Sequence, residues 1–95
     1  MEIESIRHKA LRRFAETGAA HGLPAGVTDR LRNMLAYLMA IETTAELVIP
    51  PNFGAHLLKG DRAGTWALTV TKNWRLTFRL DDVQAIVDMD LEDYH

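Results

Sequence analysis

Apolar side chains in the first half of the chain recur every three to four residues, the repeat of an amphipathic α-helix. The stretch from Arg7 to Thr17 has this repeat, and Gly18 follows it as a helix stop, so we predict a first helix there. A second, longer helix is predicted with Pro24 in its first turn, a position that suits proline. Its apolar stripe consists of Leu31, Leu35, Leu38 and Ile41.

The repeat of apolar side chains changes to two residues beyond Pro50 and Pro51, which end the helical pattern. Alternation of apolar and polar side chains predicts β-strands with one buried face. The side chains predicted on the buried faces are Trp66, Leu68 and Val70 in one strand, and Trp74, Leu76, Phe78 and Leu80 in the next. Both strands are therefore expected to face one core.

A third strand is predicted at residues 84–89 and an additional one at residues 55–59, with tight turns at residues 72–73 and 81–82. In the third strand, alternation assigns Ala85, Val87 and Met89 to the buried face, and Asp88 and Asp90 to the opposite one. The whole pattern predicts one α+β domain spanning residues 1–95. Two N-terminal helices would pack on a small antiparallel β-meander.

Composition is that of a globular protein, with 47% apolar and 25% charged residues. The apolar run that includes residues 35–41 is far shorter than the ~20 residues that cross a bilayer. Glu2 and Glu4 do not suit a signal peptide, so we expect a cytoplasmic protein that does not bind a membrane. Cysteine is absent and the four histidines lack the HExxH spacing of zinc sites, so neither a metal nor a cofactor is expected.

Charge is distributed unevenly along the chain. Residues 1–79 hold all 11 lysines and arginines against seven acidic residues, a net charge of +4. Residues 80–95 hold six acidic residues and no lysine or arginine, a net charge of −6. A basic body with an acidic tail differs from the uniformly basic surface of an independent nucleic-acid-binding protein. Charge alone therefore gives weak support for binding RNA.

Four stretches of the chain occur in an order that resembles HigB-type toxins of the RelE/ParE toxin superfamily. They are residues 14–18 (FAETG), 56–61 (HLLKGD), 73–79 (NWRLTFR) and 92–95 (EDYH). Together they extend over nearly the whole sequence, and the order and spacing of the last three are the specific features. Two departures are Thr71 and Lys72 before Asn73, where asparagine and glycine are usual, and Gly54 with Ala55, where a bulky or basic pair is common.

The resemblance implies a RelE-like fold and the toxin of a type II toxin-antitoxin system. Such a toxin is a ribosome-dependent endoribonuclease that cuts messenger RNA in the decoding site. It would be neutralised by a helix-turn-helix antitoxin similar to HigA and would contact operator DNA only through that antitoxin. Carried over to this chain, the family's active-site positions are His56, Lys59, Asn73, Arg75, Asp93, Tyr94 and His95. A low number of basic residues would weaken binding to the ribosome.

Metal-free cleavage of RNA needs a base for the 2′-hydroxyl, a cation for the charged phosphorane and an acid for the leaving 5′-oxygen. Asn73 and Arg75 are two residues apart and share the strand face opposite the apolar side chains, so both can bind substrate. Arg75 is our candidate phosphate clamp, because a guanidinium binds two phosphate oxygens at once. Lys59 would add a second cation as a point charge.

His95 is our candidate general acid, because nearby carboxylates such as that of Asp93 favour its protonated form. The base is either Asp93 or His56, and the residues alone do not choose between them. Tyr94 would orient the 2′-hydroxyl, stack on a base or donate a proton. This chemistry requires the C-terminal tripeptide to lie beside a lysine and an arginine that come from different strands.

Other interpretations of the same residues stay open at this point. Without the family pattern, Arg75 and Arg79 would be ordinary solvated strand charges, and residues 93–95 a frayed terminus. A ParE-like toxin would share the fold but inhibit DNA gyrase by contact, without catalysis. A third alternative is a catalytically inactive module that survives as an antitoxin-binding regulator.

Overall fold

The computed structural model describes residues 1–94. Two helices come first, α1 (Lys9–Thr17) and α2 (Thr28–Ala40). Four strands follow in the described residues, namely β1 (His56–Leu57), β2 (Thr65–Thr69), β3 (Trp74–Leu80) and β4 (Ile86–Asp93). Short 3₁₀ turns occur at Thr44–Val48, Pro51–Phe53 and Gly60–Arg62. The fold is therefore α+β, as the sequence pattern predicts.

The helix α1 begins two residues later than predicted. The side chain of His8 accepts a hydrogen bond of 3.1 Å from the backbone N–H of Leu11, which caps the first turn. Arg7 lies outside the helix because its N–H donates to the carbonyl of Met89 (2.7 Å). At the other end, the N–H of Gly18 donates to the carbonyl of Phe14 (2.8 Å), so the predicted C-terminal stop is confirmed.

The helix α2 begins at Thr28, and the prediction that Pro24 occupies its first turn is wrong. Between Pro24 and Thr28, Gly26 has a φ of +82°, a left-handed conformation that a right-handed helix cannot contain. The helix can therefore start only after this glycine. Its buried side chains include Leu31, Leu35 and Leu38, as the apolar stripe predicts.

The four strands form one antiparallel sheet in the order β1-β2-β3-β4, which is the predicted meander. The additional strand predicted at residues 55–59 is only two residues long. A fifth segment covers the outer edge of β4, where Ile3 and Ile6 form parallel bridges to Ile86 and Met89. The N-terminal residues thus lie beside the C-terminal strand and shield its edge.

The buried face of β4 differs from the prediction in one respect. Ala85 and Met89 are buried as expected, but Ile86 is fully buried in place of Val87. The register between β3 and β4 shifts after Val87, so that strict alternation does not hold along the strand. Asp88 has a φ of +55° at this β-bulge, which returns Met89 to the core. A residue-by-residue alternation cannot anticipate such an insertion.

The core lies between the helices and one face of the sheet. Leu11 from α1, Leu38 from α2, Leu68 from β2 and Phe78 from β3 are all fully buried within one cluster. Trp66, Trp74 and Leu80 pack against the cluster from its margin. The core cluster with α1 and α2 lies on this one face of the sheet only. No helix within residues 1–94 has the length and apolar character needed to cross a membrane.

Candidate active site

The face of the sheet turned away from the helices is lined by polar side chains. Residues paired across neighbouring strands point to the same side, so the register defines this face row by row. The rows are His56, Ala67, Thr77 and Asp90; Thr69, Arg75 and Glu92; and Thr65, Arg79 and Val87. We call this surface the polar face, defined by His56, Arg75, Thr77, Arg79, Asp90 and Glu92.

Arg75 occupies the row of the polar face nearest the β2–β3 turn, between Thr69 of β2 and Glu92 of β4. Its Nη1 donates to the carbonyls of Thr71 (2.7 Å), Lys72 (3.2 Å) and Trp74 (3.2 Å). The carbonyls of the β2–β3 turn thus fix the plane of the guanidinium. The two residues that depart from the family pattern at this turn, Thr71 and Lys72, contribute through backbone atoms, so their side-chain identity is not required.

Tyr94 contacts Arg75 directly. The Cζ atom of Arg75 lies 5.0 Å from the centroid of the Tyr94 ring, a distance typical of a cation–π pair. The N–H of Tyr94 donates to the carbonyl of Asn73 (2.7 Å), and Asp93 pairs with Trp74 in the β3–β4 ladder. The chain is therefore held by backbone hydrogen bonding as far as Tyr94, and the interpretation as a frayed terminus does not apply to these two residues.

His56 lies on the polar face at the outer strand β1, where it pairs with Ala67. Its Nδ1 lies 3.0 Å from the carbonyl oxygen of Gly54, and the ring is exposed. With about 4.8 Å between strands and about 3.4 Å per residue, the Cα atoms of His56 and Arg75 are roughly 12 Å apart. Side chains of these lengths can approach one phosphate group placed between them.

Lys59 lies in the loop after β1, where it precedes the 3₁₀ turn Gly60–Arg62 and is exposed. The expectation that it belongs to a strand is therefore wrong. The strand ends at Leu57, and Gly60 takes a φ of +68° that turns the chain away from the sheet plane. His95, the candidate acid, lies outside the described residues.

The sequence prediction missed a cluster of three side chains beside Tyr94. Arg62 donates two hydrogen bonds to the carboxylate of Glu92, of 2.9 Å and 2.5 Å, and Thr77 donates a third of 2.5 Å. The hydrogen bond from Arg62, with a smaller contribution from Thr77, lowers the pKa of Glu92 below its usual value. The hydrogen bond to Glu92 also raises the pKa of Arg62, with smaller contributions from Tyr94.

Locating this cluster requires the β3–β4 register, which sequence alternation did not supply. Thr77 pairs with Asp90, two residues before Glu92, so Thr77 and Glu92 lie on the same face of the sheet in adjacent rows. One sequence feature could have pointed to this pair. Arg62 directly follows the family-like stretch at residues 56–61, and Glu92, which has the opposite charge, begins the stretch at residues 92–95.

A groove of about 190 Å³ continues along the polar face from this cluster. Its lining contains three arginines and four carboxylates, together with two threonines: Arg7, Asp61, Arg62, Thr65, Thr77, Arg79, Asp88, Asp90 and Glu92. Arg7 and Asp88 approach to 3.8 Å. The acidic C-terminal residues therefore lie among the arginines of the same face and offset much of their charge.

Comparison with known proteins assigns the chain to a family. Residues 4–95 match the family model described as the RelE-like toxin of the type II toxin-antitoxin system HigB. A relative from Proteus vulgaris, named endoribonuclease HigB, is 39% identical over 95 residues, which are 98% of this chain and 99% of the relative.

Two solved structures share the fold. The structure of YafQ from E. coli strain BL21(DE3) superposes with a TM-score of 0.62 and 12% identity, covering 97% of this chain and 93% of YafQ. A YoeB/ParE toxin from Agrobacterium tumefaciens has a TM-score of 0.54 and 14% identity, covering 100% and 99% of the two chains. At these identities the likeness concerns architecture, which is the one predicted from the sequence.

Proposed function

Because this chain belongs to the HigB family of RelE-like toxins of type II toxin-antitoxin systems and is a homologue of an endoribonuclease, we propose that its polar face cuts messenger RNA in the decoding site of the ribosome. The observation that carries this proposal is the contact between Arg75 and Tyr94. It places the proposed phosphate-binding cation against the ring of a tyrosine, on a face that also bears a histidine.

Arg75 is the proposed clamp for the scissile phosphate. The carbonyls of the β2–β3 turn orient its guanidinium before substrate arrives, so binding needs little reorganisation of this group. Asn73, whose carbonyl holds the Tyr94 backbone, supports the same corner of the site. Lys59, exposed in the loop after β1, is the proposed second cation and would contact the phosphate as a point charge.

The proposed reaction is metal-free transesterification. A base takes the proton of the 2′-hydroxyl, whose oxygen attacks the adjacent phosphorus, while an acid protonates the departing 5′-oxygen. The products are a 2′,3′-cyclic phosphate and a 5′-hydroxyl. His95 is the proposed acid and either His56 or Asp93 the base. The proposed role of Tyr94 is to orient the 2′-hydroxyl, to stack on a base or to donate a proton.

The family implies an antitoxin partner. We propose that this partner is a helix-turn-helix protein similar to HigA and that operator DNA is contacted only through it. The ribosome and its bound message are the proposed substrate complex, and we propose that the toxin acts in the cytoplasm.

Replacing a proton-transfer residue should slow cleavage far more than replacing a bystander. His56→Ala and His95→Ala should each lower the single-turnover rate on ribosome-bound message, by ~10²–10⁴-fold for a residue that transfers a proton. His21→Ala is the matched control, because His21 is exposed in the loop before α2 and outside the polar face. Wild-type rates for both His56→Ala and His95→Ala would remove this mechanism.

Controlled expression, with and without the adjacent antitoxin gene, distinguishes the activities. Message cut within codons supports the nuclease. Topological damage to DNA would instead indicate a ParE-like inhibitor of gyrase, and the absence of any growth effect would indicate an inactive regulator.

A further inference from the structure

Arg30 of α2 extends from the helix layer to the sheet and binds three backbone carbonyls. Its Nε donates to the carbonyl of Val70 (3.0 Å), and its Nη2 donates to the carbonyls of Thr69 (3.3 Å) and Asn52 (2.5 Å). The ion pairs within residues 1–94 do not include Arg30. The charge of this guanidinium is therefore stabilised by the backbone of two other segments of the chain.

The position of Arg30 in α2 is not explained by the helix itself. The helix begins at Thr28, so Arg30 lies in its first turn. A cation is unfavourable there because the positive end of the helix dipole is at the N-terminus, whereas Asp29 in the same turn has the favourable sign. The contacts with carbonyls that are 22 to 40 positions away along the chain account for an arginine at this place.

These contacts join the end of β2 to the segment that precedes β1. The pairing of β1 with β2 extends only to Ala67, so the last residues of β2 have no partner in β1. Gly54, which follows the 3₁₀ turn that contains Asn52, packs at this place. A Cβ atom on Gly54 would lie only 3.1 Å from Oγ1 of Thr69. Nη2 of Arg30 holds the two sides together, because it donates to a carbonyl on each.

The strand end held in this way leads directly into the turn that orients Arg75. Thr71 and Lys72 follow Val70, and their carbonyls accept hydrogen bonds from Nη1 of Arg75 at 2.7 Å and 3.2 Å. Thr69 is also the neighbour of Arg75 in the β2–β3 ladder. A displacement of this strand end would therefore move the groups that set the direction of the Arg75 guanidinium.

We propose that Arg30 is a positioning residue for the cleavage reaction, which orients the guanidinium of Arg75 by fixing the end of β2 and the β2–β3 turn. This inference rests on the proposed ribonuclease function. Arg30 does not belong to the polar face, so its effect on the reaction passes through the carbonyls of the turn. Its importance follows from the sensitivity of catalysis to displacements of about 1 Å in a group that positions the substrate.

The ordinary alternative is an arginine that only stabilises the fold. Its loss would then lower the folded fraction of the toxin, and the cleavage rate would fall by the same factor whichever residue occupies position 75. A positioning role instead predicts a penalty that depends on the presence of Arg75. The two roles are therefore separated by measuring the penalty in two backgrounds.

The test measures single-turnover cleavage of ribosome-bound message by the toxin. Arg30→Ala is expected to lower the maximal rate ~10–100-fold, while the toxin concentration at half-maximal rate changes less than about 3-fold. In an Arg75→Ala background, Arg30→Ala should lower the rate by less than about a further 3-fold, because the guanidinium that it orients is already absent. Arg30→Lys keeps the charge but not the forked geometry and should have an intermediate rate. It takes the place of Arg30→Ala if that variant does not fold.

Arg32→Ala is the matched control. It removes the same charge from the same helix, and Arg32 forms an exposed ion pair with Asp29 away from the polar face. This variant should cleave at the wild-type rate. A wild-type rate for Arg30→Ala, or for Arg30→Lys in its place, would overturn the positioning role while the nuclease proposal stands, and so would equal penalties in the two backgrounds. Failure of the wild-type toxin to cleave, by contrast, would overturn the proposed function and this inference with it.

Discussion

Arg75 and Glu92 are opposite each other on neighbouring strands, yet each is bound to a different partner. Arg75 is held by turn carbonyls and leans on Tyr94, whereas Glu92 is held by Arg62 and Thr77. A carboxylate paired with Arg75 would compete with a phosphate for its guanidinium. Glu92 does not do so, because its carboxylate is bound by Arg62 and Thr77. At the level of single residues, the site separates its phosphate-binding cation from the nearest carboxylate.

The lowered pKa of Glu92 predicts how stability depends on pH. A carboxyl whose pKa is lower in the folded state stabilises that state. The contribution is complete at pH values above the pKa of the unfolded state, close to 4.5, and it is lost as the pH falls through the pKa of the folded state. Glu92→Gln should therefore reduce the free energy of unfolding by about 1 kcal/mol at neutral pH, a small figure because the pair is partly exposed. Urea unfolding of both proteins from neutral to acidic pH should show the difference shrinking in acid. A difference of constant size would contradict this assignment.

The strand β4 contains a bulge and has the N-terminal segment of the chain beside it. The N–H groups of Asp88 and Met89 donate to the side chain and the carbonyl of Ser5, at 2.8 Å and 3.0 Å. The N-terminal segment thus satisfies the donors that the bulge releases from the β3–β4 ladder. This element places Met89 in the core and leaves Glu92 on the polar face, so the geometry of the site depends on it.

The left-handed conformation of Asp88 predicts opposite responses to two substitutions. Asp88→Val should destabilise the fold by about 1–2 kcal/mol, since a β-branched residue tolerates positive φ poorly. Asp88→Gly should cost much less, because glycine adopts this conformation freely and the 3.8 Å contact with Arg7 is solvent-exposed. Denaturant midpoints for the two variants provide the comparison. Equal losses would mean that the Asp88 side chain, not its backbone, is what matters.

The acidic tail and the basic body of the chain meet on one surface of the molecule. Arg7 lies near Asp88, and Arg62 is bound to Glu92, so charges that are far apart in sequence offset each other in the groove. The number of cations available to RNA phosphates is correspondingly smaller. Recognition of the ribosome should then rely on a few specific contacts, with a modest dependence on salt.

Lys59 is one of the cations proposed to contact an RNA phosphate. Its contribution to binding should be measurable as a change in how affinity depends on salt concentration. Lys59→Ala should weaken binding to the ribosome–message complex and reduce the slope of log affinity against log salt by roughly 0.7, the value for one phosphate contact on a single strand. Titrations at several salt concentrations measure this slope. An unchanged slope would show that Lys59 does not contact a phosphate.

Much of this architecture was predictable from local pattern. The spacing of apolar side chains predicted α1, α2 and the strands of the meander. It also predicted that Arg75 lies on the face of β3 opposite to the buried face that carries Leu76 and Phe78. Such patterns are informative because a side chain's direction in a helix or strand follows from its position in the element. The errors occurred at Pro24, Val87 and Lys59, where a positive-φ residue nearby interrupts the regular repeat.

The arrangement of the site depends on contacts between residues that are distant along the chain. Sequence order and local periodicity determine which side chains leave the core, and the family-like motifs identify most of the candidates. The bridge from Arg62 to Glu92 joins residues 30 positions apart, and the contact of Arg75 with Tyr94 depends on the pairing of β3 with the end of β4. Register and loop closure are set by the packing of the whole chain, because no short stretch contains both partners of these pairs.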